Sequence, residues 1–536
     1  MARYENEYLL LMNSAYKRDL AAVLIFSAIP TLLFLDKPFH MDEAWFMALA
    51  RHTAAAPGDP LGFSINLYGT TRPATEFHAY GLIIAYLMAP GAALAGAREW
   101  LMRLLYLPVE LGAAGFLYAV AARFLKRPLV PVLIVLASPL YWLNVHLLTA
   151  ERWMALFGFA GLYAAIRSDG RDRRWLTASA AAFAAATASK YSALMLAVPA
   201  GAWLLSRGAS PALVAAWAAG AASPALISTA ATLFGGYGGG KVALQVSLDG
   251  REATWRGWVH RLRAVDALIG GGTLFLAYWP LRGKLTTRVA VSIALAAALF
   301  LPWFDQAAVR PVDRALGLLL CAGPAAAFAG APDWRRLPGG VLWLSWLAAV
   351  IALQGVYWSV VSRSVLFAVP PLVFALAAAA EREGRTIHWG AAVAVLGFGL
   401  ALGSVDARYA AAQKDAAAVT RERFPGRTVW YTGHWGFQHY MSEAGARPLE
   451  DATGWNQARV GDIVVLPLNN TNLVHMRGRR LVDATVAAVS HPLPVRLMSA
   501  GAAEAGFYSS AFGFLPFSIT RAPVEEFRFV ELRSPP

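Results

Sequence analysis

The chain alternates between long apolar blocks and short polar connections over most of its length. The blocks are about 15–24 residues long, the length that a helix needs to cross a hydrocarbon layer of roughly 30 Å. The pattern therefore predicts a polytopic α-helical membrane protein with about 13 transmembrane helices. The predicted spans lie at residues 20–35, 101–122, 129–146, 152–166, 175–188, 191–206, 211–234, 262–280, 289–303, 314–331, 339–354, 365–380 and 388–404.

One further apolar block, Phe77–Gly96, is interrupted by Pro90 and by several small residues. If this block does not cross, the loops rich in arginine and lysine lie on the same side of the membrane as the N-terminus. If it crosses, those loops lie outside, against the positive-inside rule. We therefore predict a helix at the outer interface, an N-terminus inside, and an outer location for the chain beyond the last span.

The pattern changes after the last span. Ala411–Arg423 has the pattern of a soluble helix, and Arg427–Tyr431 and Asp462–Pro467 have the pattern of short buried strands. The length of this tail is sufficient for a small domain. The predicted organisation is a transmembrane domain at 1–404, which includes an outer loop at 36–99, and a small extracytoplasmic α/β domain at 405–536.

Composition supports a membrane protein. Hydrophobic residues make up 57% of the chain and charged residues 15%, whereas a soluble domain has about a quarter of charged residues. The net charge of +14 comes from arginines between apolar blocks, so we expect no nucleic-acid partner. The single cysteine, Cys321, leaves disulfides no structural part. The absence of targeting signals and the alanine- and arginine-rich usage favour a bacterial inner membrane, with the C-terminal domain periplasmic or extracellular.

Acidic residues stand at two predicted outer positions. Asp42 and Glu43 follow the first span, and Glu151 precedes the fourth. Carboxylates at a membrane surface can take a proton from an attacking hydroxyl or bind a metal. The alternative is that they are helix-start residues, with Asp42 as an N-cap. The topology was derived from the basic loops alone, and it places all three acids on one face, which favours a catalytic role.

Three ionisable side chains on the same face are candidates for binding phosphate. Lys190 opposes the charge rule mildly, although a lysine that extends to the interface gives the same pattern. Arg363 interrupts an apolar stretch, and arginine suits bidentate phosphate contacts. His78 can meet phosphate or metal, or be an ordinary interfacial histidine. Tyrosines and tryptophans at block ends, such as Tyr357, fit an interface belt better than a sugar-stacking site.

With these residues in place, the chain resembles glycosyltransferases of the GT-C superfamily. It is most similar to the branch that contains protein O-mannosyltransferases and lipid A aminoarabinose transferases. The layout is similar over nearly the whole chain: a first span, a long outer loop that begins with an acidic pair, about a dozen spans and an outer C-terminal domain. The local similarity lies in Asp42-Glu43, Arg103–Arg127, Ser138–Glu151, Ala188-Ser189-Lys190 with Leu194–Pro199, and Ser362-Arg363 before Pro370-Pro371.

Two positions depart from the pattern of the family. The second outer acid is usually an aspartate, whereas this chain has Glu151. Relatives often have lysine or histidine before a proline where this chain has His78 followed by Ala79. These departures affect the role expected of Glu151 and the expected contact between His78 and the donor.

The resemblance implies a donor sugar that is linked to polyprenyl phosphate. The polyprenyl tail lies among the membrane lipids, and the sugar is used on the outer face. The acceptor is a hydroxyl of a lipid, a glycan or a protein. Asp42 or Glu43 would take its proton, Lys190, Arg363 and His78 would bind the donor phosphate, and a single displacement would invert the anomeric centre. The resemblance makes no cofactor certain, since fixed cations can stabilise the leaving phosphate. A divalent metal that bridges Asp42 and Glu151 is compatible with these residues.

Other functions remain open at this point. A glycan ligase that uses a lipid diphosphate shares most of this chemistry. A secondary transporter would have inverted repeats and ionisable residues near the midplane, whereas no repeat is visible here. A non-catalytic scaffold could keep the layout without activity. The aromatic run Gly433–Phe437 fits a strand–turn–helix core better than an acceptor-binding surface.

Overall fold

The chain is described from a computed structural model. It covers residues 14–233, 255–273, 309–330, 334–450, 457–471, 480–499 and 504–533, apart from residues 68 and 97, together with a few isolated residues outside these ranges. Helices account for most of the chain up to residue 423, and strands follow them.

The described residues up to 233 contain ten α-helices and one short β-hairpin. They are α1 (Ser14–Leu33), α2 (Glu43–Ala55), α3 (Ile83–Ala95), α4 (Glu99–Ala121), α5 (Leu129–Ala137), α6 (Pro139–Val145), α7 (Ala150–Ser168), α8 (Arg173–Ser189), α9 (Leu194–Ser206) and α10 (Pro211–Leu233), with β1 (Ser64–Leu67) and β2 (Thr70–Pro73) after α2. The next six are α11 (Trp255–Gly272), α12 (Pro311–Gly330), α13 (Gly340–Val356), α14 (Ser362–Val365), α15 (Val369–Arg382) and α16 (Trp389–Arg423).

Within the described residues, four helical segments are long and apolar enough to cross a membrane, and the chain is therefore a helical membrane protein. They are Glu99–Ala121, Pro211–Ala231, Ser362–Arg382 and Trp389–Arg423. Shorter apolar helices lie at Ile83–Ala95, Tyr191–Ser206 and Gly340–Val356. The predicted number of 13 spans and the orientation stay predictions, because the predicted spans at 262–280 and 289–303 lie partly outside the described residues.

The predicted third span, 129–146, consists of two helices, α5 and α6. The backbone of Ser138 between them is extended, with φ −52° and ψ 134°, because a residue that precedes proline is driven out of the helical region. The break turns α6 toward α14, and the Asn144 side chain donates a hydrogen bond to Ser362 Oγ at 3.1 Å. The periodicity of apolar residues does not reveal this break, although Pro139 marks it.

The ambiguous block Phe77–Gly96 contains one helix, α3, which is 13 residues long. At 1.5 Å per residue it extends over about 20 Å, less than the roughly 30 Å of the hydrocarbon layer. Its length agrees with the prediction that this block does not cross the membrane. Residues 77–82 lead into it without helical structure. Within this segment, the ring of Tyr80 lies beside Lys190.

The last span and the helix predicted at 411–423 form one continuous helix, α16, of 35 residues. At 1.5 Å per residue it is about 52 Å long, so it extends well beyond a hydrocarbon layer. The predicted domain boundary at residue 404 lies inside this helix. Division of the chain into a transmembrane and a soluble domain stays a prediction.

A five-stranded mixed sheet follows α16. Its strands are β3 (Val429–Tyr431), β4 (Arg447–Pro448), β5 (Ile463–Pro467), β6 (Arg480–Val489) and β9 (Glu525–Arg533), in the order β4-β3-β5-β9-β6. Helix α17 (Gly436–Glu443) lies between β3 and β4 in the chain, and β7 (Val495–Arg496) pairs with β8 (Ser518–Ile519). Strands β3 and β5 are the two strands predicted from the sequence, and their buried residues support that interpretation.

Helix α17 packs directly on the outer loop. A Cβ atom at Gly436 would lie 2.0 Å from the carbonyl oxygen of Phe39, so only glycine permits this approach. The Tyr440 hydroxyl accepts a hydrogen bond from the Phe39 backbone N–H at 2.7 Å. The C-terminal region and the loop that carries Asp42 are therefore in close contact.

We expect Gly436→Ala to destabilise this contact by about 1–3 kcal/mol, the usual cost of forcing extra atoms into a packed site. Differential scanning fluorimetry of the purified protein should show a lower melting temperature. Gly390→Ala is the matched control, because nothing lies within 4 Å of a Cβ atom at Gly390 and alanine favours a helix. Equal melting temperatures for the two variants would contradict the close approach at Gly436.

Candidate active site

Asp42 occupies the N-cap position of α2, but its side chain makes no capping hydrogen bond. Its carboxylate instead forms an ion pair with Arg363. The preceding residue, Met41, has φ +48°, an uncommon conformation for a residue with a side chain, and such strain is often found at functional sites. The helix-cap alternative therefore describes the backbone position of Asp42 and not the role of its side chain.

Four predicted site residues form one cluster. The Glu151 carboxylate forms an ion pair with Lys190, and its Oε1 lies 2.9 Å from Arg363 Nε. Together with the Asp42–Arg363 pair, the cluster contains two negative and two positive side chains, so its charges balance. Glu151 lies in the first turn of α7, Lys190 follows the last residue of α8, and Arg363 lies in α14. Residues far apart in the chain are thus brought together.

The two acids of the cluster differ in accessibility. The Asp42 side chain is 27% exposed, whereas the Glu151 side chain is 5% exposed. A reactant that approaches from solvent can therefore reach Asp42. Glu151 is enclosed and holds the ammonium group of Lys190 beside the guanidinium group of Arg363.

Glu43 is not part of this cluster. It is fully buried, and both of its carboxylate oxygens lie 3.0–3.1 Å from Arg103 Nη2. It also accepts hydrogen bonds from the backbone N–H groups of His40 at 2.7 Å and Leu148 at 3.0 Å. Glu43 therefore connects the outer loop to α4 and to the start of α7, and its contacts favour a structural role over the catalytic role expected from the sequence.

His78 is buried beside the rings of Trp45 and Tyr80, with centroid distances of 6.0 and 5.8 Å. Burial lowers its pKa to about 4, because desolvation disfavours the charged imidazolium. A neutral imidazole brings no positive charge to a phosphate. Tyr80, which carries a hydroxyl, lies beside the cluster, because Lys190 Nζ lies 5.6 Å from the centre of its ring.

Two tyrosines beside the cluster were not identified from the sequence. Burial raises the pKa of both Tyr80 and Tyr357, and Asp42 and Glu151 raise it further. Both hydroxyls consequently stay protonated and can donate hydrogen bonds to an anion. In the sequence, Tyr357 follows the predicted span at 339–354 and has the position of an interface residue. No sequence signal therefore distinguishes it as a site residue. Tyr80 follows the polar turn that contains His78, which is a weak signal at best.

A second buried network includes residues at the start of the loop at 36–99 and was also not identified. Lys37 forms an ion pair with Asp406 of α16, and both side chains are 1% exposed. His40 Nε2 lies 3.4 Å from the other carboxylate oxygen of Asp406, which accepts a hydrogen bond from the Tyr508 hydroxyl at 2.7 Å. Lys37 Nζ also lies 3.2 Å from His146 Nε2. The network connects the residues before Asp42 to α16 and to the C-terminal region.

The C-terminal region also positions Arg363. The backbone N–H of Ser362 donates a hydrogen bond to the carbonyl of Phe507 at 3.2 Å, and that of Ser510 donates to the carbonyl of Val360 at 2.9 Å. The Val360 N–H in turn donates to Ser510 Oγ at 3.0 Å. The chain around residues 507–510 therefore holds the segment that carries the guanidinium group.

The cluster does not fit a divalent metal as it stands. Oxygens of Asp42 and Glu151 are paired with Arg363 and Lys190, whereas a hard cation needs carboxylates free to coordinate it. Within the described ranges, no group of three His, Cys, Asp or Glu side chains is placed to hold a metal ion. The chemistry of the cluster is therefore that of its side chains alone.

Part of the chain matches a known protein family. Residues 79–233, which include Tyr80, Glu151 and Lys190, match the family described as dolichyl-phosphate-mannose-protein mannosyltransferase. The resemblance to GT-C glycosyltransferases is confirmed. The match also supports the predicted enzyme class, a membrane glycosyltransferase. No curated protein is significantly similar in sequence to the chain.

Two solved structures are similar to this GT-C-like chain over most of its length. The crystal structure of ArnT from Cupriavidus metallidurans bound to undecaprenyl phosphate has 15% sequence identity and a TM-score of 0.47, and the alignment covers 83% of this chain and 92% of that one. The apo structure of the same protein has 15% identity and a TM-score of 0.40, with 87% and 93% covered. TM-scores below 0.5 do not by themselves establish a common fold.

Proposed function

We propose that the chain transfers a sugar from a polyprenyl-phosphate donor to an acceptor hydroxyl on the outer face of a bacterial inner membrane, with inversion at the anomeric carbon. The observation that carries this proposal is the cluster of Asp42, Glu151, Lys190 and Arg363. It combines an accessible carboxylate with two cations that are held together. The donor class is also that of the matched family, whose description names dolichyl-phosphate mannose.

Lys190 and Arg363 are the proposed ligands of the donor phosphate. Arginine can bind phosphate oxygens in a bidentate manner, and lysine adds a point charge. As the bond between the anomeric carbon and the phosphate oxygen breaks, its electron pair stays on the phosphate, which gains negative charge. Fixed cations and the Tyr80 and Tyr357 hydroxyls would stabilise that charge where it develops.

Asp42 is the proposed base. The acceptor hydroxyl oxygen forms a bond to the anomeric carbon as the phosphate leaves from the opposite side, and the hydroxyl proton passes to the Asp42 carboxylate. Without a donor, this carboxylate is paired with Arg363. A donor phosphate competes for the same guanidinium group, so donor binding would release Asp42 for proton transfer. This order of events favours reaction only when the donor is in place.

We expect Lys190→Met to weaken donor binding by about 10- to 100-fold, because a hydrogen bond to a charged group contributes about 1.5–3 kcal/mol. The measurement is transfer from a panel of undecaprenyl-phosphate sugars by purified protein, with a crude membrane fraction as acceptor. Undecaprenyl-diphosphate glycans form a second arm of the panel, and their exclusive use would favour the ligase alternative.

Lys126→Met serves as the control for this experiment, because Lys126 is exposed and lies in the basic connection between α4 and α5, outside the cluster. The control should leave the KM for the donor unchanged. Unchanged donor affinity in Lys190→Met would contradict the phosphate-binding role. If wild-type protein consumes neither class of donor, the transferase proposal is wrong, and a liposome transport assay becomes the next measurement.

A further inference from the structure

A pocket with a volume of about 360 Å³ opens beside Asp42. Its walls come from α2, from strand β1 of the outer loop and from α17 of the C-terminal region. The volume is in the range of small-molecule sites. Asp42 lines this pocket and is also paired with Arg363 of the cluster, so the proposed base connects the two.

One wall of the pocket is apolar and aromatic. Trp45 and Trp435 contribute indole rings, and Ile65 and Leu67 contribute aliphatic side chains. Trp45 is 6% exposed, and its indole N–H has no hydrogen-bond partner among the described residues. This part of the lining is therefore suited to the apolar face of a ligand.

A second part of the lining, the polar wall, is close to neutral in charge. Gln438, His439 and Glu443 line it from α17, and Arg51 lines it from α2. Glu443 Oε1 lies 3.3 Å from His439 Nε2 and 3.8 Å from Arg51 Nη1. The wall thus offers several hydrogen-bond donors and acceptors without a strong net charge.

Backbone strain is concentrated at this pocket. Three non-glycine residues in the described ranges have a positive φ, and two of them, Met41 and Trp435, line the pocket. Trp435 has φ 65° and ψ −148°, a conformation suited to glycine. The adjacent Gly436 lies against the Phe39 carbonyl, which restrains the backbone. Backbone strain in proteins is often found at functional sites, and on this ground we assign a function to the Trp435 side chain.

We propose that this pocket binds a sugar residue of the acceptor and presents its hydroxyl to Asp42, an inference that rests on the proposed transferase function. A sugar ring has an apolar C–H face, which suits the indole wall, and a rim of hydroxyls, which suits the polar wall. An alkyl chain would leave the polar wall unpaired. The acceptor class is therefore a glycan, free or attached to a lipid.

Trp435→Gly is the discriminating variant. Glycine adopts a positive φ without strain, so the substitution removes the indole and leaves the backbone intact. Trp389→Ala is the matched control, because Trp389 is 55% exposed at the start of α16. Purified full-length protein in detergent is applied to an array of bacterial-envelope oligosaccharides, serine- and threonine-containing peptides and immobilised fatty alcohols.

The expected result is binding of wild type to a subset of the oligosaccharides and at least tenfold weaker binding of Trp435→Gly, with Trp389→Ala unchanged. Exclusive binding to peptides or fatty alcohols, equal binding by Trp435→Gly and wild type, or no binding at all would each overturn the proposal.

The array needs no donor, so it separates this inference from the proposed function. Lys190→Met should bind the same oligosaccharides as wild type although its donor binding is about 10- to 100-fold weaker. Glycan binding by a wild-type protein that consumes no donor would refute the transferase function and leave the pocket assignment intact. Transfer that is unaffected in Trp435→Gly at limiting acceptor would refute the pocket assignment and leave the transferase function intact.

Discussion

Asp42→Asn should lower the rate of sugar transfer by about 10²- to 10⁴-fold, the usual contribution of a general base. The amide has the shape of the carboxylate but cannot take the acceptor proton. Because the Asp42 side chain is partly exposed and does not cap α2, the variant should fold with an unchanged melting temperature. The measurement is a single-turnover transfer rate at saturating donor and acceptor.

Asp169→Asn is the control for this substitution. Asp169 pairs with Arg207 at 2.6 Å, as Asp42 pairs with Arg363, and its positive φ of 50° is tolerated by asparagine. The control should retain the wild-type rate. If Glu151→Gln instead abolishes the chemical step while Asp42→Asn remains active, Asp42 is not the base.

Glu43→Gln should have the opposite outcome, loss of stability with little direct effect on the chemical step. Glu43 is fully buried against Arg103, and removal of one partner of a buried ion pair costs about 3–5 kcal/mol because the other charge remains unpaired. The melting temperature and the yield of monodisperse protein in detergent should both fall. Together, the Asp42→Asn and Glu43→Gln variants test whether these adjacent acids have different roles.

A double variant, Glu43→Met with Arg103→Met, tests the reason for that loss. It removes both charges, so it should recover part of the stability, since replacement of a buried pair by apolar side chains is often close to neutral. Recovery will be incomplete, because the His40 and Leu148 backbone N–H groups lose their acceptor. A stable Glu43→Gln protein that cannot transfer sugar would reverse the assignment and favour Glu43 as the base.

The membrane class of the protein could be predicted from the sequence because it depends on the length and polarity of blocks, which are local properties. The same holds for the short helix at residues 83–95 and for strands β3 and β5. Asp42, Glu151, Lys190 and Arg363 were also identified, because charged residues at the ends of apolar blocks are conspicuous and the basic loops assign them to one side.

Tertiary structure distinguishes the environments of individual residues. Asp42 and Glu43 are adjacent and chemically alike, and only the position of Arg103, 60 residues later, separates a buried structural acid from an accessible one. From the sequence, His78 and Lys190 are equivalent candidates for binding phosphate. In the structure, His78 packs against Trp45 and Tyr80 in a desolvated site. Burial and pairing depend on contacts between distant segments, which no local pattern contains.

The sequence by itself determined the membrane character, the resemblance to GT-C glycosyltransferases and the set of charged candidates, because each of these follows from composition, block length or order along the chain. Tertiary structure alone decided that α16 is continuous, that the C-terminal region holds Arg363 and borders the pocket beside Asp42, and that the Tyr80 ring lies beside Lys190. The physical reason is that these features are contacts between residues tens to hundreds of positions apart, and their free energies depend on burial that exists only in the folded chain.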